Sequence, residues 1–189
     1  YKPNKGKIHF DNNTVSFDSP IDSRSLGIEV IYQDMALVDE LTVWENIFLG
    51  RLLRLRIGLI DRRRMMSESV RLLDSLGLTN LSPEAKVGYL SGGQKKAVAI
   101  SRAIYWDARV IFMDEPTAAL AVVEIGRVLD LIKTLKDAGA MVIFVSHNLQ
   151  EVLSTVDRVL VLHRGHLTGI RSVKETNEQE IVGLMMGRE

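Results

Sequence analysis

One short segment, Val110-Ile111-Phe112-Met113-Asp114-Glu115, joins a run of four apolar residues to two carboxylates. A continuous apolar run of this length predicts a buried central strand of a parallel sheet. In an open α/β sheet, ligands bind beyond the carboxyl ends of the strands, which is where Asp114 and Glu115 lie. One carboxylate there can hold Mg²⁺ through oxygen, and the next can accept a proton from an attacking water. The alternative, for an Asp-Glu pair taken alone, is an acidic turn in contact with solvent.

The segments around this strand alternate between strands and helices. We predict a hairpin around Asp11-Asn12-Asn13 and a short helix that begins at Ser19-Pro20 and ends near Gly27. Further along the chain we predict a strand over 28–32, a helical region from Leu41 to about Trp106, a helix over 122–138, a strand over 141–145, a helix from Asn148 and a strand over 157–162. Arg164-Gly165 then predicts a turn into a last short strand. This alternation predicts an α/β fold with a parallel sheet and crossover helices.

A glycine-containing motif, Leu90-Ser91-Gly92-Gly93-Gln94, stands 20 residues before the central strand and opens a helix. Two glycines at a helix start free the backbone N–H groups to approach an anion, and the helix dipole adds partial positive charge. Ser91 adds a hydroxyl donor. The motif therefore predicts a phosphate contact, and the alternative is a turn that only starts a helix.

The helical region carries most of the remaining charge patterns. A helix from Asp61 to Gly77 places Val70, Leu73 and Leu76 on one face, which predicts that this face is buried. Lys95-Lys96 is interpreted as a solvated pair on a helix, and the alternative is that its charge aids anion binding next to the glycine motif. A cluster of six arginines is interpreted as a solvated face, with a surface that meets membrane-domain loops or the cytoplasmic leaflet as the alternative: Arg51, Arg54, Arg56, Arg62, Arg63 and Arg64.

Composition excludes several classes of protein. The 189 residues are 46% hydrophobic, which is typical of a globular chain and excludes a disordered or fibrous one. The 24 basic and 24 acidic residues cancel, which argues against a generic electrostatic binder of nucleic acid. Cysteine is absent from the sequence, which excludes disulfides and thiolate metal sites. The longest apolar runs, such as Ala140 to Val145, are far too short to span a bilayer.

Four motifs together resemble the nucleotide-binding domain of an ATP-binding cassette (ABC) transporter. Leu90 to Gln94 resembles the family's signature motif, and Ile111 to Glu115 resembles its Walker B motif. Gln33, after a strand, resembles the Q-loop glutamine, and His147 resembles the switch histidine. The order and spacing agree, and the resemblance covers the chain from residue 1 to residue 189. A narrower similarity, to bacterial importers of ribose, xylose and fructose type, rests mainly on Leu41 to Arg51 and on residues 186–189.

The resemblance implies an α/β fold of P-loop NTPase (RecA-like) type that lacks its N-terminal part and has an inserted α-helical subdomain. Residues 1–36 are expected to form the N-terminal strands and the Q-loop. Residues 37–107 are expected to form the helical signature subdomain, and residues 108–189 the parallel-sheet lobe with Walker B and the switch histidine.

The resemblance also assigns roles around ATP and Mg²⁺, the implied cofactors. Glu115 would polarise the attacking water as catalytic base, and His147 would contact the γ-phosphate. Asp114 would place Mg²⁺, and Gln33 would reach the metal or the water. The signature residues would bind a nucleotide held by an opposite subunit: Ser91, Gly92, Gly93 and Gln94.

The implied activity is ATP hydrolysis that energises a monosaccharide importer. The expected partners are a second nucleotide-binding domain, transmembrane permease subunits and, indirectly, a periplasmic sugar-binding protein. Nucleic acid is not an expected partner. The resemblance places such a subunit peripherally, on the cytoplasmic face of the inner or plasma membrane.

The sequence departs from the family in two places. No G-x-x-x-x-G-K-[S/T] phosphate loop (Walker A) occurs, and the nearest string is Lys5-Gly6-Lys7-Ile8. We therefore expect the chain to be a fragment of a longer protein, to expose apolar surface, and alone neither to bind ATP tightly nor to hydrolyse it. Ala121 stands where most of the family has Asp, so coupling between two sites is expected to be weaker or rearranged.

Two other functions fit parts of the sequence. A non-hydrolysing partner subunit would lend Ser91 to Gln94 to the ATP of an active partner. A DNA-repair or chromosome-structure ATPase has a similar signature, but such proteins insert long coiled coils between their lobes. Only 80 residues separate Gln33 from Asp114, and no sustained heptads appear, which disfavours that class.

Overall fold

The computed structural model describes residues 2–188, so Tyr1 and Glu189, the outer limits of the resemblance, lie outside it. The chain begins with an antiparallel hairpin of β1 (Ile8–Phe10) and β2 (Asn13–Val15). Asp11 and Asn12 form its turn with φ of +48° and +62°, values that Asn and Asp tolerate better than other non-glycine residues. The predicted hairpin is confirmed.

A short helix and the first strand of the central sheet follow. The helix α1 (Pro20–Ser25) begins as predicted after Ser19, with proline in its first turn, and the strand β3 (Ile28–Ile31) comes directly after Gly27. Gly27 has φ of +77°, a conformation that glycine adopts without strain.

The middle of the chain is mainly helical. It contains α2 (Val43–Ile47), α3 (Arg62–Ser75), a 3₁₀ turn (Val87–Tyr89) and α4 (Gly92–Tyr105). These elements enclose a core of buried apolar side chains: Val43, Trp44, Ile47, Phe48, Met65, Leu73, Leu81, Val87 and Val98. The predicted buried face of α3 was wrong at Val70, which is exposed. The helix turns Met65, Ser69 and Leu73 inward instead, because these positions recur every four residues.

The predicted helical pattern is also wrong between α2 and α3. Residues 53–61 form a tight hairpin, in which the Leu55 N–H donates to the Leu59 carbonyl at 2.8 Å. The Asp61 N–H donates to the Leu53 carbonyl at 2.9 Å. Gly58 has φ of +85°, which suits the last position of a three-residue hairpin loop. The spacing of the apolar residues in this segment does not distinguish a hairpin from a helix.

The central sheet has three parallel strands in the order β3-β4-β5, where β4 spans Val110–Asp114 and β5 spans Met141–Val145. The helix α5 (Val122–Asp137) connects β4 to β5. With α4 it covers one face, and the core there includes Ile31, Ile111 and Met113. The other face leaves a row of apolar side chains exposed, in register across the strands: Val30, Phe112 and Ile143.

The C-terminal part contains α6 (Leu149–Thr155), β6 (Arg158–His163), β7 (His166–Ser172), a 3₁₀ turn (Val173–Glu175) and α7 (Glu178–Met185). The predicted strand over 157–162, the turn at Arg164-Gly165 and the strand after it are confirmed. The parallel sheet does not extend to them, since β6 pairs antiparallel with β7 in a separate sheet. The turn at Arg164-Gly165, with φ of +49° and +81°, brings the two strands together locally.

The helix α4 packs against two cores. Ala97, Ala99 and Ile100 lie in the core of the parallel sheet, whereas Val98 lies in the core of the helical region. The proposed boundaries at 36/37 and 107/108 therefore stay a prediction.

Between Lys2 and Arg188 the chain has no helix both long and apolar enough to cross a membrane.

Candidate active site

Parallel strands bring three predicted site residues to one edge of the sheet. Gln33 follows the end of β3, Glu115 follows β4, and His147 follows β5. In the parallel register Asp114 lies beside Val145, so the ends of β4 and β5 are level. The structure therefore gathers these residues at the carboxyl edge, where open α/β sheets bind ligands.

Glu115 and His147 form a hydrogen-bonded pair, with 2.9 Å between Glu115 Oε1 and His147 Nδ1. Glu115 is held in a left-handed conformation with φ of +46°, and its N–H donates to the Val145 carbonyl at 2.9 Å. Such a conformation is uncommon outside glycine and often marks a functional site. The carboxylate is half-buried and the imidazole is exposed. The pair can accept a proton from a water and hold charge at the same point.

We predict that this pairing can be measured as a pH effect. The hydrogen bond from His147 to Glu115, and then the charge of Glu115, raise the pKa of His147 above its ordinary value of 6.5. A raised pKa in the folded state means that protonated His147 stabilises the fold below the ordinary pKa. That contribution is lost as the pH rises through the raised pKa. NMR titration of the ring should show a His147 pKa above the ordinary value of 6.5.

The variant Glu115→Gln is expected to return the His147 pKa towards its ordinary value, because it removes the charge and weakens the hydrogen bond. Glu178→Gln, in the first turn of α7, provides the control, since it should leave the His147 pKa raised. A His147 pKa that is equal in the two proteins would contradict the pairing.

A second set of polar groups lines an open cleft beside this pair. Tyr32, Gln33, Asp34 and Asp114 form its walls. Carboxylate and amide oxygens are the ligands that Mg²⁺ prefers. Among residues 2–188, no group of three or more histidine, aspartate or glutamate side chains is close enough to hold a metal ion. The residues fit a Mg²⁺ ion that takes most of its ligands from a phosphate substrate and from water.

Lys96 lies beneath this cleft, so its interpretation as a solvated residue was wrong. Its surface is 2% exposed, and Nζ lies 3.4 Å from the carbonyl of Gln33. Burial lowers the pKa of Lys96, while the charges of Asp114 and Asp34 partly oppose that shift. A buried lysine with two carboxylates near it links α4 to the cleft electrostatically. Lys95 is not free either, since it pairs with Asp39 at 2.8 Å.

The signature motif begins α4 through a reciprocal cap. Ser91 Oγ accepts from the Gln94 N–H at 3.3 Å, and Gln94 Oε1 accepts from the Ser91 N–H at 2.9 Å. Any larger residue in place of Gly92 or Gly93 would force a neighbouring side chain to move. A Cβ on Gly92 would lie 2.9 Å from a Leu120 methyl, and a Cβ on Gly93 would lie 2.9 Å from Glu124.

Glu124 is a site residue that the sequence did not single out. Its carboxylate accepts from the Gly93 N–H at 3.4 Å and from the Ala121 N–H at 3.3 Å. The Ser91 hydroxyl is the largest cause of the lowered pKa of Glu124, followed by the Ala121 backbone. The third position of α5 is the place for a capping glutamate, and this spacing was the available signal. Glu124 thus joins the start of α5 to the signature motif.

The structure does not bring the signature motif to the Glu115–His147 pair. Across residues 2–188, no hydrogen bond or ion pair joins Ser91–Gln94 to either member. The predicted site residues therefore fall into two groups, which are two candidate half-sites. One is the sheet edge with Gln33, Asp114, Glu115 and His147, and the other is the signature motif, to which the structure adds Glu124.

Comparison with known proteins identifies the family. The model of the ABC transporter family matches residues 1–118. The chain is 46% identical to a xylose/arabinose import ATP-binding protein of Sulfolobus acidocaldarius, over 98% of this chain and 73% of that protein. It is 38% identical to a ribose import ATP-binding protein of Chromobacterium violaceum, over all of this chain but only 38% of that protein.

A solved structure of an ATP-binding cassette has a similar fold. The chain is similar to a dimeric, post-hydrolysis ATP-binding cassette bound to ADP and Pi, with a TM-score of 0.72 and 25% identity. The match covers 92% of this chain and 75% of that one. The fold is therefore that of a P-loop NTPase with a parallel sheet. The chain belongs to the ABC transporter family, whose ATP-binding members are ATPases coupled to transport.

Proposed function

We propose that this chain forms part of the ATPase that energises a monosaccharide importer. The Glu115–His147 pair at 2.9 Å, placed beside the cleft of Gln33 and Asp114, is the observation that carries the proposal. ATP and Mg²⁺ are the proposed cofactors. The pentose import named for two relatives, at 46% and 38% identity, supports the sugar class.

In the proposed reaction, each side chain of the sheet edge has one task. Glu115 accepts a proton from the water that attacks the γ-phosphate, and its fixed backbone keeps the carboxylate in place. His147, hydrogen-bonded to Glu115, contacts the γ-phosphate with its exposed ring. Asp114 and Gln33 would hold Mg²⁺, which when bound neutralises charge that develops on the phosphates.

The two half-sites support a dimer. No hydrogen bond or ion pair joins the signature motif to the Glu115–His147 pair within the described residues, which leaves the signature motif available to a nucleotide held by another chain. Two copies in opposite orientation would place Ser91, Gly92 and Gly93 of one copy against a nucleotide held by the other. Ala121 supplies no carboxylate to this interface, and Glu124 remains as the nearby acid.

The printed sequence has no phosphate loop, so we propose that these 189 residues alone neither bind ATP tightly nor hydrolyse it. In the proposed machine this ATPase lies peripherally on the cytoplasmic face of the membrane. It acts on transmembrane permease subunits and, indirectly, with a periplasmic sugar-binding protein. A non-hydrolysing role is the second candidate, and the intact signature half-site favours it, because that half-site can serve a partner's nucleotide.

The test compares two chains. One is the 189-residue chain, and the other is the same chain extended upstream by a segment that carries G-x-x-x-x-G-K-[S/T]. We expect Mg²⁺-dependent ATP hydrolysis and stimulated uptake of labelled pentose only from the extended chain, in vesicles that contain the cognate permease. Hydrolysis by neither chain, together with stimulation of a partner that carries the loop, would support the second candidate. Uptake of amino acids but not sugars would overturn the substrate class.

A further inference from the structure

We propose that residues 51–64, called the arginine hairpin below, bind directly to an anionic lipid surface. The segment comprises the tight hairpin at 53–61 and the residues that flank it. The proposal goes beyond transport ATPase function, because it requires neither nucleotide nor a permease. It joins three observations: concentrated charge, an exposed apolar apex and a fixed hairpin geometry.

The arginine hairpin concentrates positive charge in a chain that is neutral overall. It contains six arginines and one acid, Asp61, while the complete sequence has 24 basic and 24 acidic residues. The Asp61 carboxylate already accepts from the Arg64 N–H at 3.0 Å, as the cap of α3. Of the six guanidinium groups, only Arg51 has a carboxylate within salt-bridge distance in residues 2–188, Glu29 at 2.8 Å. The other five are exposed, so their charge is available to an external anion.

The apex of the arginine hairpin is apolar. Ile57 stands in the three-residue loop and is 77% exposed. Its apolar neighbours Leu55, Leu59 and Ile60 are exposed as well. A group of adjacent apolar side chains at a projecting loop is uncommon in a soluble surface and marks a site of contact.

The hairpin geometry fixes this apex. The Gly58 N–H donates to the Leu55 carbonyl at 2.9 Å, and an Arg54 guanidinium N–H donates to the Gly58 carbonyl at 2.9 Å. Arg62 lies 5.3 Å from the Trp44 ring, which ties the base of the hairpin to the helical core. Because these hydrogen bonds already hold the loop, binding adds little free-energy cost for ordering it.

The chemistry of the arginine hairpin favours lipid over other anionic partners. Residues 51–64 contain no aromatic side chain on which a nucleic-acid base could stack. Protein interfaces enrich aromatic side chains, whereas the exposed apolar side chains of this segment are all aliphatic. Aliphatic side chains surrounded by arginines suit the boundary between headgroups and acyl chains, where shape complementarity is not required.

The test uses the full 189-residue chain and flotation with vesicles. One set contains phosphatidylcholine alone, and the other contains phosphatidylcholine with phosphatidylglycerol. We expect binding to the anionic vesicles only, and weaker binding at high salt, because salt screens surface charge. Each arginine near an anionic surface contributes on the order of fivefold in partitioning. The triple variant Arg56→Gln, Arg63→Gln, Arg64→Gln should therefore bind roughly a hundredfold less tightly.

Two matched controls separate this surface from general electrostatics. The triple variant Arg158→Gln, Arg164→Gln, Arg188→Gln removes the same charge from exposed positions elsewhere and should bind like the parent. Ile57→Ser should weaken binding, whereas Ile21→Ser, at a residue that is 73% exposed, should not. Equal losses in both triple variants, or no loss with Ile57→Ser, would overturn the proposal.

Insertion has its own measurement. The variant Ile57→Trp places a fluorophore at the apex, and vesicles with brominated acyl chains should quench it more than they quench the parent's Trp44 and Trp106. Absence of that additional quenching would overturn insertion. The same hairpin variants can also be tested for assembly with the permease. If they lost that assembly but still bound vesicles, the surface would belong to a protein partner, and the proposal would be overturned.

Discussion

Replacement of Glu115 by glutamine is expected to lower ATP turnover by about 10²–10⁴-fold in the chain extended with a phosphate loop. Glutamine keeps the size of the side chain but cannot accept the proton. The left-handed backbone at Glu115, with φ of +46°, and the bond from its N–H to Val145 do not depend on the carboxylate. The fold and nucleotide binding should therefore survive, so that kcat falls while the affinity for ATP is retained.

The measurement is steady-state phosphate release combined with equilibrium binding of labelled ATP. Glu178→Gln, in the first turn of α7, is the matched control, because it removes one exposed carboxylate from a helix that supplies no residue to the sheet edge. Turnover by Glu115→Gln that equals that of the control would show that another group accepts the proton. A loss of ATP binding in parallel with turnover would show that Glu115 acts in binding and not in the chemical step.

Replacement of Phe48 by alanine is expected to lower the free energy of unfolding by roughly 3–5 kcal/mol. Phe48 ends α2 and is fully buried. Its ring packs edge-on against Tyr105 at 4.5 Å and against Trp106 at 6.1 Å, at the end of α4. Alanine would leave a cavity and would remove both aromatic contacts. The free energy of unfolding of a domain is only about 5–15 kcal/mol, so this one change removes a large part of the stability.

Urea unfolding followed by circular dichroism tests this prediction. Tyr89→Ala removes a ring that is 87% exposed and should change the free energy of unfolding by no more than about 0.5 kcal/mol. Phe48→Leu keeps more apolar volume than Phe48→Ala. Its loss of unfolding free energy should therefore lie between the losses of Phe48→Ala and Tyr89→Ala. If Phe48→Ala unfolded like Tyr89→Ala, the aromatic contact between α2 and α4 would not stabilise the helical region.

Several features could be predicted from local sequence because their cause is local. The apolar run before Asp114 predicted β4, and the turn residues Asp11 and Asn12 predicted the first hairpin. The glycines of the signature motif predicted the start of α4, since the cap at Ser91 lies within the same few residues. The family resemblance rested on such motifs and was confirmed by the match over residues 1–118.

Other features depend on packing between distant segments and had no local signal. Lys96 has the pattern of a solvated lysine, but α4 turns it under the carbonyl of Gln33, 63 positions earlier in the chain. Val70 fits an apolar helix face, yet the neighbours of α3 select Ser69 for burial. The contact of Glu124 with Gly93 spans 31 positions and depends on how α5 approaches α4.

The amino-acid sequence alone determined the strand ends, the helix starts and the residue types of the site, because propensity, capping and hydrophobic period act over a few residues. The parallel register of β3, β4 and β5 decided which of those residues meet, and it placed His147 2.9 Å from Glu115 although 32 positions separate them. Only the tertiary structure decided that the parallel sheet excludes β6, since the local turn at Arg164-Gly165 pairs β6 with β7 but does not fix where β6 lies relative to β5. It also kept the signature motif apart from the sheet edge, because α4 packs between two cores and presents its first turn to α5.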